Sequence, residues 1–244
     1  MEQKSSDTRD RIRKIVRFLD RWTDRGLILI FLLLFFLGGY ALYDSYRVYM
    51  DAADPAVSKF KPGEETEEEP DKEIQGFMAG WITMFDSNID YPVMQGADNS
   101  EYLSKDPFGD YSLAGSIFLD ARNAGDFTDD YSLIYGHHME HGMMFGALDR
   151  WLEKAYADEH LFGELIVGET THKITVFAVL ESEATREELF SPTEVDRDVI
   201  LAYVKDHARI LYEENVPGVD DRILALSTCK FPDTAERTIL ICKF

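Results

Sequence analysis

Ile223-Leu224-Ala225-Leu226-Ser227-Thr228-Cys229 and, from eight residues past that cysteine, Arg237-Thr238-Ile239-Leu240-Ile241-Cys242-Lys243 are the two stretches that decide the fold. Each is a compact apolar run of strand length, and the two are joined by a turn about residues 232–234, so together they read as an antiparallel hairpin. In that register Cys229 stands near Arg237, and Cys242 lies near Leu224, about five residues along the ladder. At roughly 3.4 Å per residue that gap exceeds disulfide reach. The two cysteines therefore separate. Cys242 sits among Ile239, Leu240 and Ile241 and reads as core. Cys229 follows the hydroxyls of Ser227 and Thr228 at a strand terminus, where side chains reach solvent. It reads as a nucleophile.

Arg237 has two readings. It is either a rim residue paired with Asp233 or Glu236, or a fixed cation whose planar donors hold a substrate carbonyl and the oxyanion formed when a thiolate attacks. A guanidinium stays protonated and cannot serve as a base. The base must come from elsewhere, and Tyr135-Gly136-His137-His138-Met139-Glu140-His141-Gly142 supplies it. His137 and His141 have the spacing of a helical zinc pair. However, glycines bracket the segment, it directly follows a strand, and His138 stands where a metalloprotease motif needs glutamate. His137, at the strand end with Gly136 leaving its approach open, is the candidate catalytic histidine. No metal and no cofactor is expected, and no loop has the spacing of an EF-hand calcium site.

The 244 residues carry a formal charge of −21, which excludes a basic nucleic-acid-binding face. Two cysteines are too few for a disulfide scaffold. The charge is unevenly spread. Residues 1–25 hold eight Lys/Arg against five acids, a net +3, leaving −24 for the rest. Gly26 to Tyr43 then runs 18 residues without a charge, enough to cross hydrocarbon as a helix. It is longer than a cleaved leader's apolar core, and bulky Tyr40, Leu42, Tyr43 and Tyr46 close it. The basic side faces the cytoplasm by the positive-inside rule, so the remainder is expected outside a cell membrane crossed once. Residues 44–75, with Pro55, Pro62, Gly63, Pro70 and a run of acids, read as a self-repelling stalk. Asp54-Pro55 could alternatively belong to a segment covering the active site.

From Gly76 the chain alternates short strands with two helices. Strand segments fall at Gly80–Met84, Ile89–Gln95 (edge-like, because of Pro92), Gly115–Asp120, Tyr131–Tyr135, Glu164–Val167, Lys173–Leu180, Arg222–Thr228 and Thr238–Lys243. A turn at Gly168-Glu169-Thr170 joins the fifth and sixth. Apolar stripes at helical spacing mark 143–157 and 194–213, the second preceded by the capping pattern Ser191-Pro192-Thr193-Glu194. Eight evenly spaced strands predict a mostly β domain: a closed, mostly antiparallel eight-stranded barrel with peripheral helices, preceded by one transmembrane helix.

In this order the residues resemble the sortases, cysteine transpeptidases that attach surface proteins to Gram-positive cell walls. The family pattern Thr-Leu-x-Thr-Cys is matched by Ala225-Leu226-Ser227-Thr228-Cys229, with Ala225 in place of the usual threonine. The family histidine follows a glycine and maps to His137; its arginine lies on the strand after the cysteine and maps to Arg237. Gly80-Trp81-Ile82, Ile89-Asp90-Tyr91-Pro92-Val93-Met94-Gln95, Asp98-Asn99, Tyr102-Leu103 and Gly115-Ser116-Ile117-Phe118-Leu119-Asp120 are similar to class B members. So is the long helix before the cysteine strand. Class C members usually carry a C-terminal second span and an aromatic after the lid's Asp-Pro; here Ala56 follows Pro55 and the sequence stops at Phe244.

The resemblance implies a domain organisation of 1–25 basic cytoplasmic head, 26–43 anchor, 44–75 stalk and 76–244 catalytic domain. It also implies the chemistry. Cys229 attacks the Thr–Gly amide, or its equivalent, in a sorting-signal peptide of a surface or pilin protein. His137 protonates the leaving amine and later deprotonates the acceptor, while Arg237 holds the signal and its oxyanion. Ser227 and Thr228 are substrate contacts. An acyl-thioester forms and is resolved by an amine of peptidoglycan or its precursor. A pilin lysine as acceptor, an exported cysteine peptidase and an inert anchored binding module remain the alternatives.

Overall fold

Period-two alternation has a direct structural outcome here: strands whose two faces bury against different partners. The computed structural model describes residues 2–52, 54–63, 73–229 and 236–244. The expected 232–234 turn, Asp233 and most of the acidic stalk lie outside the described residues. The chain divides into two compact units, 1–47 and 48–244. Helix α1 (Glu2–Ala52) begins in the first and ends in the second. Within it, the uncharged stretch from Gly26 to Tyr43 exposes its large side chains, and the helix is long and apolar enough to cross a membrane.

The second unit is built on nine strands: β1 (Phe77–Met84), β2 (Asp90–Gln95), β3 (Ile117–Leu119), β4 (Tyr131–Gly136), β5 (Phe162–Val167), β6 (Thr170–Glu183), β7 (Ile210–Leu211), β8 (Ile223–Cys229) and β9 (Glu236–Lys243). Eight of them close a ring in the order β1-β2-β3-β4-β8-β9-β6-β5, with β5 pairing back onto β1. Six of the ring's ladders are antiparallel; β2–β3 and β4–β8 are parallel. The eight strands expected from the sequence are these eight. The short β7 hangs off β6 outside the ring. At the β5–β6 hairpin, Gly168 adopts φ +58 at the first position of a two-residue turn, a conformation that matches the strands' twist and that a side chain would strain.

One face of every ring strand fills the barrel. Ile82, Val93, Leu119, Ile134, Leu165, Val176, Leu226 and Leu240 belong to that interior cluster, and each is fully buried. Burying each such side chain contributes about 1.5–3 kcal/mol. The opposite face of β4, β6, β8 and β9 presents Leu133, Phe177, Leu180, Ile223, Ala225, Ile239 and Ile241, and is covered by Leu189, Ile200, Leu201 and Val204. These come from α4 (Glu187–Phe190) and α5 (Arg197–His207).

Three local readings of the sequence need correction. The segment 143–157 is not one α-helix. It is a 3₁₀ segment, Phe145–Leu152, followed by the short α3 (Lys154–Glu159). Phe145, Gly146, Ala147, Leu148 and Trp151 are all buried, which no single α-helical stripe allows, because the segment plugs the interior cluster. The second helix is shorter than 194–213. It ends at His207, since Ala208 turns extended, Arg209 donates its backbone N–H to Val179, and Ile210–Leu211 pair with β6. Ser191 does not open that helix; its N–H closes α4 on Glu187, and Asp196 is the residue before α5. Finally, β2 is flanked on both sides. Pro92 is tolerated because the pairing with β3 involves only Val93 and Met94, beyond the proline.

The segment expected to be stalk folds in part onto the domain. α1 continues to Ala52, which packs into the interior cluster beside Val48. Asp54 caps the one-turn α2 (Pro55–Ser58), and Lys61 pairs with Asp90 at 3.0 Å.

Candidate active site

Three neighbouring strand ends carry the residues singled out from the sequence. β4 and β8 run parallel, with Tyr135 beside Ser227 and Gly136 beside Thr228. The next positions along them are His137 and Cys229. β8 and β9 run antiparallel, with Cys229 opposite Arg237 and Leu224 opposite Cys242, the register expected from the hairpin. Adjacent strands lie about 4.8 Å apart. Histidine, cysteine and arginine therefore occupy consecutive positions across three strands. Cys242 is a free thiol buried in the barrel interior, where burial pushes its pKa up.

His137, Ser227 and Arg237 line one groove of about 310 Å³, walled by Asn99, Leu103, Phe118, Tyr135, Ala184 and Phe190. Ser227 is 1% exposed, and its hydroxyl has no hydrogen-bond partner among the described residues. Thr228, paired with Thr238, is equally buried but is not among the groove's lining residues. Of the two expected substrate contacts, Ser227 alone stands at the groove.

The His137 ring is oriented by the main chain: its Nε2 lies 2.7 Å from the Leu103 carbonyl. A carbonyl only accepts, so Nε2 carries the proton of the neutral ring and the lone pair sits on Nδ1. Gly136 lines the groove beside His137. Its missing side chain also makes room inside the barrel. A Cβ there would press on Ile117 and come within 2.7 Å of Phe145. Gly136→Ala is therefore expected to cost about 1–3 kcal/mol by overpacking, and to lower turnover by displacing His137. Thermal denaturation and steady-state kinetics check the two effects.

Arg237 is a half-buried cation of the groove wall with no ion pair among the described residues, and its Nε lacks a hydrogen-bond partner among them. Burial lowers its pKa, with the neighbouring Tyr135 opposing. A half-buried guanidinium with an unsatisfied Nε carries a desolvation cost that a bound oxyanion would offset. Tyr135 is held in turn by Asp120, a fully buried acid to which no role is assigned from sequence alone. Asp120 accepts from the Tyr135 hydroxyl at 2.9 Å, from Asn99 Nδ2 at 2.9 Å, and from Arg122 through both carboxylate oxygens at 2.9 and 2.8 Å. Burial alone would raise its pKa, but the bonds from Arg122 and Tyr135 outweigh it and hold the carboxyl below its ordinary value. Arg122 also donates to the Phe190 carbonyl at 2.6 Å, tying the far wall to the same hub. The sequence signal for this hub is slight: one acid closing an apolar strand, two residues before an arginine.

The other histidines have separate partners. His138 Nε2 lies 2.8 Å from Asp149, and the His141 ring sits 5.8 Å from that of Tyr49. Residues 54–58 do not reach the groove. They border a second cavity of about 210 Å³ with Tyr91, Pro92, Ile117 and Met144.

Comparison with known proteins bears on the family and the fold. Residues 82–244 match the family model described as Sortase domain. Sortase B of Listeria monocytogenes is 36% identical over 194 residues, covering 77% of this chain and 76% of the relative. A class B sortase of Streptococcus pyogenes involved in pilus biogenesis superposes with a TM-score of 0.61 at 36% identity, covering 67% of this chain and 90% of that structure. A Staphylococcus aureus sortase B–substrate complex gives 0.62 at 29% identity, covering 68% and 78%.

Proposed function

The chain belongs to the sortase family, and we propose that Cys229, His137 and Arg237 perform its cysteine transpeptidase chemistry, in the manner of the class B sortases it most resembles. The supporting observation is register: parallel β4–β8 and antiparallel β8–β9 make the three residues neighbours across adjacent strand ends.

The Cys229 thiolate attacks the scissile carbonyl of a sorting signal. The carbonyl oxygen becomes an oxyanion beside the Arg237 guanidinium, whose Nε has no hydrogen-bond partner among the described residues. The tetrahedral adduct collapses when the leaving amine takes a proton from the His137 imidazolium. With Nε2 engaged by Leu103, Nδ1 is the nitrogen that exchanges this proton. An acyl-thioester remains on Cys229. The acceptor amine attacks it, gives its proton to Nδ1, and leaves as the new amide with the thiolate regenerated. The Ser227 hydroxyl and the wall fixed by Asp120 hold the signal's backbone and side chains.

The acceptor we favour is an amine of peptidoglycan or its precursor. A pilin lysine is the second reading, favoured by the similarity to the S. pyogenes enzyme of pilus biogenesis. The basic residues before Gly26 support a cytoplasmic residue 1–25 head, a 26–43 anchor and an external catalytic domain. Incubating the enzyme with a sorting-signal peptide, with and without an added amine, tests the reading. The expected product with the amine present is the amide-linked conjugate. Hydrolysed peptide alone, unchanged by any amine, would make the enzyme a peptidase.

A further inference from the structure

The residues beside the catalytic ones form a second connection. His138 follows His137, and its backbone bridges to Met144. Thr238 follows Arg237 and pairs with Thr228, the residue before Cys229. Both side chains meet one carboxylate. Asp149 Oδ2 lies 2.8 Å from His138 Nε2, and Asp149 Oδ1 accepts from Thr238 Oγ1 at 2.7 Å. Asp149 belongs to the 3₁₀ segment Phe145–Leu152, whose Phe145, Leu148 and Trp151 are wholly buried in the barrel interior. The carboxylate is thus mounted on a seated element. Each of its oxygens grips the chain neighbour of a groove residue.

We propose that Asp149 is a positioning residue for the reaction: through His138 and Thr238 it sets the spacing of His137 relative to Arg237 and the end of β8. The proposal rests on the site reading above. Its physical content is geometric. His137 hangs beyond the last residue of β4, and its ring is held by one hydrogen bond, to Leu103. The Asp149 link adds a side-chain tie from the segment after β4 to β9, beyond the ladders that run through β8. Misplacement of a reacting group by about 1 Å costs on the order of 100-fold in rate.

The test uses the full chain and turnover per folded molecule, well below the melting temperature. Asp149→Ala is expected to lower kcat about 10- to 100-fold with KM within about twofold of wild type. Asp149→Asn restores most of kcat, because an amide oxygen still accepts from Thr238 and its NH₂ meets His138 in the other tautomer. Thr238→Val removes only a hydroxyl at near-constant shape, keeping the test alive if Asp149→Ala folds poorly; about a fivefold or larger loss of kcat is expected. Folded Asp149→Ala and Thr238→Val enzymes with kcat within about twofold of wild type overturn the proposal, as does failure of Asp149→Asn to recover activity. Cys229→Ala measured alongside separates the two levels. An active Cys229→Ala overturns the site and the proposal together. An inactive one beside unimpaired Asp149→Ala and Thr238→Val overturns the positioning role alone.

Discussion

Cys229→Ala is expected to abolish both cleavage of a sorting-signal peptide and formation of a covalent peptide adduct, a loss on the order of 10³ or more in kcat. The size follows from the absence of a substitute. Cys242 is buried within the barrel opposite Leu224, where burial holds the thiol protonated. Ser227 lines the groove, but among the described residues its hydroxyl has no hydrogen-bonded base to activate it. Discontinuous cleavage assays with mass analysis of the intact protein read the result, and circular dichroism checks the fold. Turnover near the wild-type rate in this variant would remove Cys229 from the mechanism.

Arg237 substitutions are expected to split activity from stability. Arg237→Lys keeps a charge but loses the planar fork, and Arg237→Met loses both. Removing a fixed oxyanion donor costs about 10²–10³ in kcat. Arg237→Lys should therefore lose about 100-fold in kcat, because a compact ammonium does not reproduce the guanidinium's donor geometry. Arg237→Met should lose at least as much, yet melt at or above the wild-type temperature. The guanidinium is half-buried, its Nε is unpaired among the described residues and burial already lowers its pKa, so a well-packed apolar replacement relieves a desolvation cost. Kinetics and a thermal melt on the same preparations check both halves. A clear drop in melting temperature for Arg237→Met would mean that the arginine serves the fold.

Much of this architecture is legible because local chemistry and global fold agree. The β8–β9 register can be read from two apolar runs and the turn between them, which places Arg237 opposite Cys229 and keeps Cys242 out of disulfide reach. The eight ring strands follow from period-two alternation and turn residues. The failures are tertiary. Residues 143–157 have helical periodicity, but plugging the barrel buries nearly contiguous residues and favours a 3₁₀ path. Ile210 and Leu211 continue a helical stripe, yet β6 offers them a ladder and wins. The parallel β4–β8 pairing that sets His137 beside Cys229 joins distant segments, and no local pattern announces it. In the sequence, His137 is marked only by its place at a strand end and by family resemblance. Asp120 and Asp149 were invisible for the same reason: a lone acid declares its partners only when the strands carrying them are brought together.

The most direct test of the convergence of thiol, imidazole and guanidinium is mass spectrometry of wild-type enzyme quenched during turnover of a sorting-signal peptide. The account predicts the peptide's N-terminal fragment joined as a thioester to Cys229 and discharged by added amine. Peptide cleavage with no such adduct, or an adduct that amine cannot discharge, would contradict it.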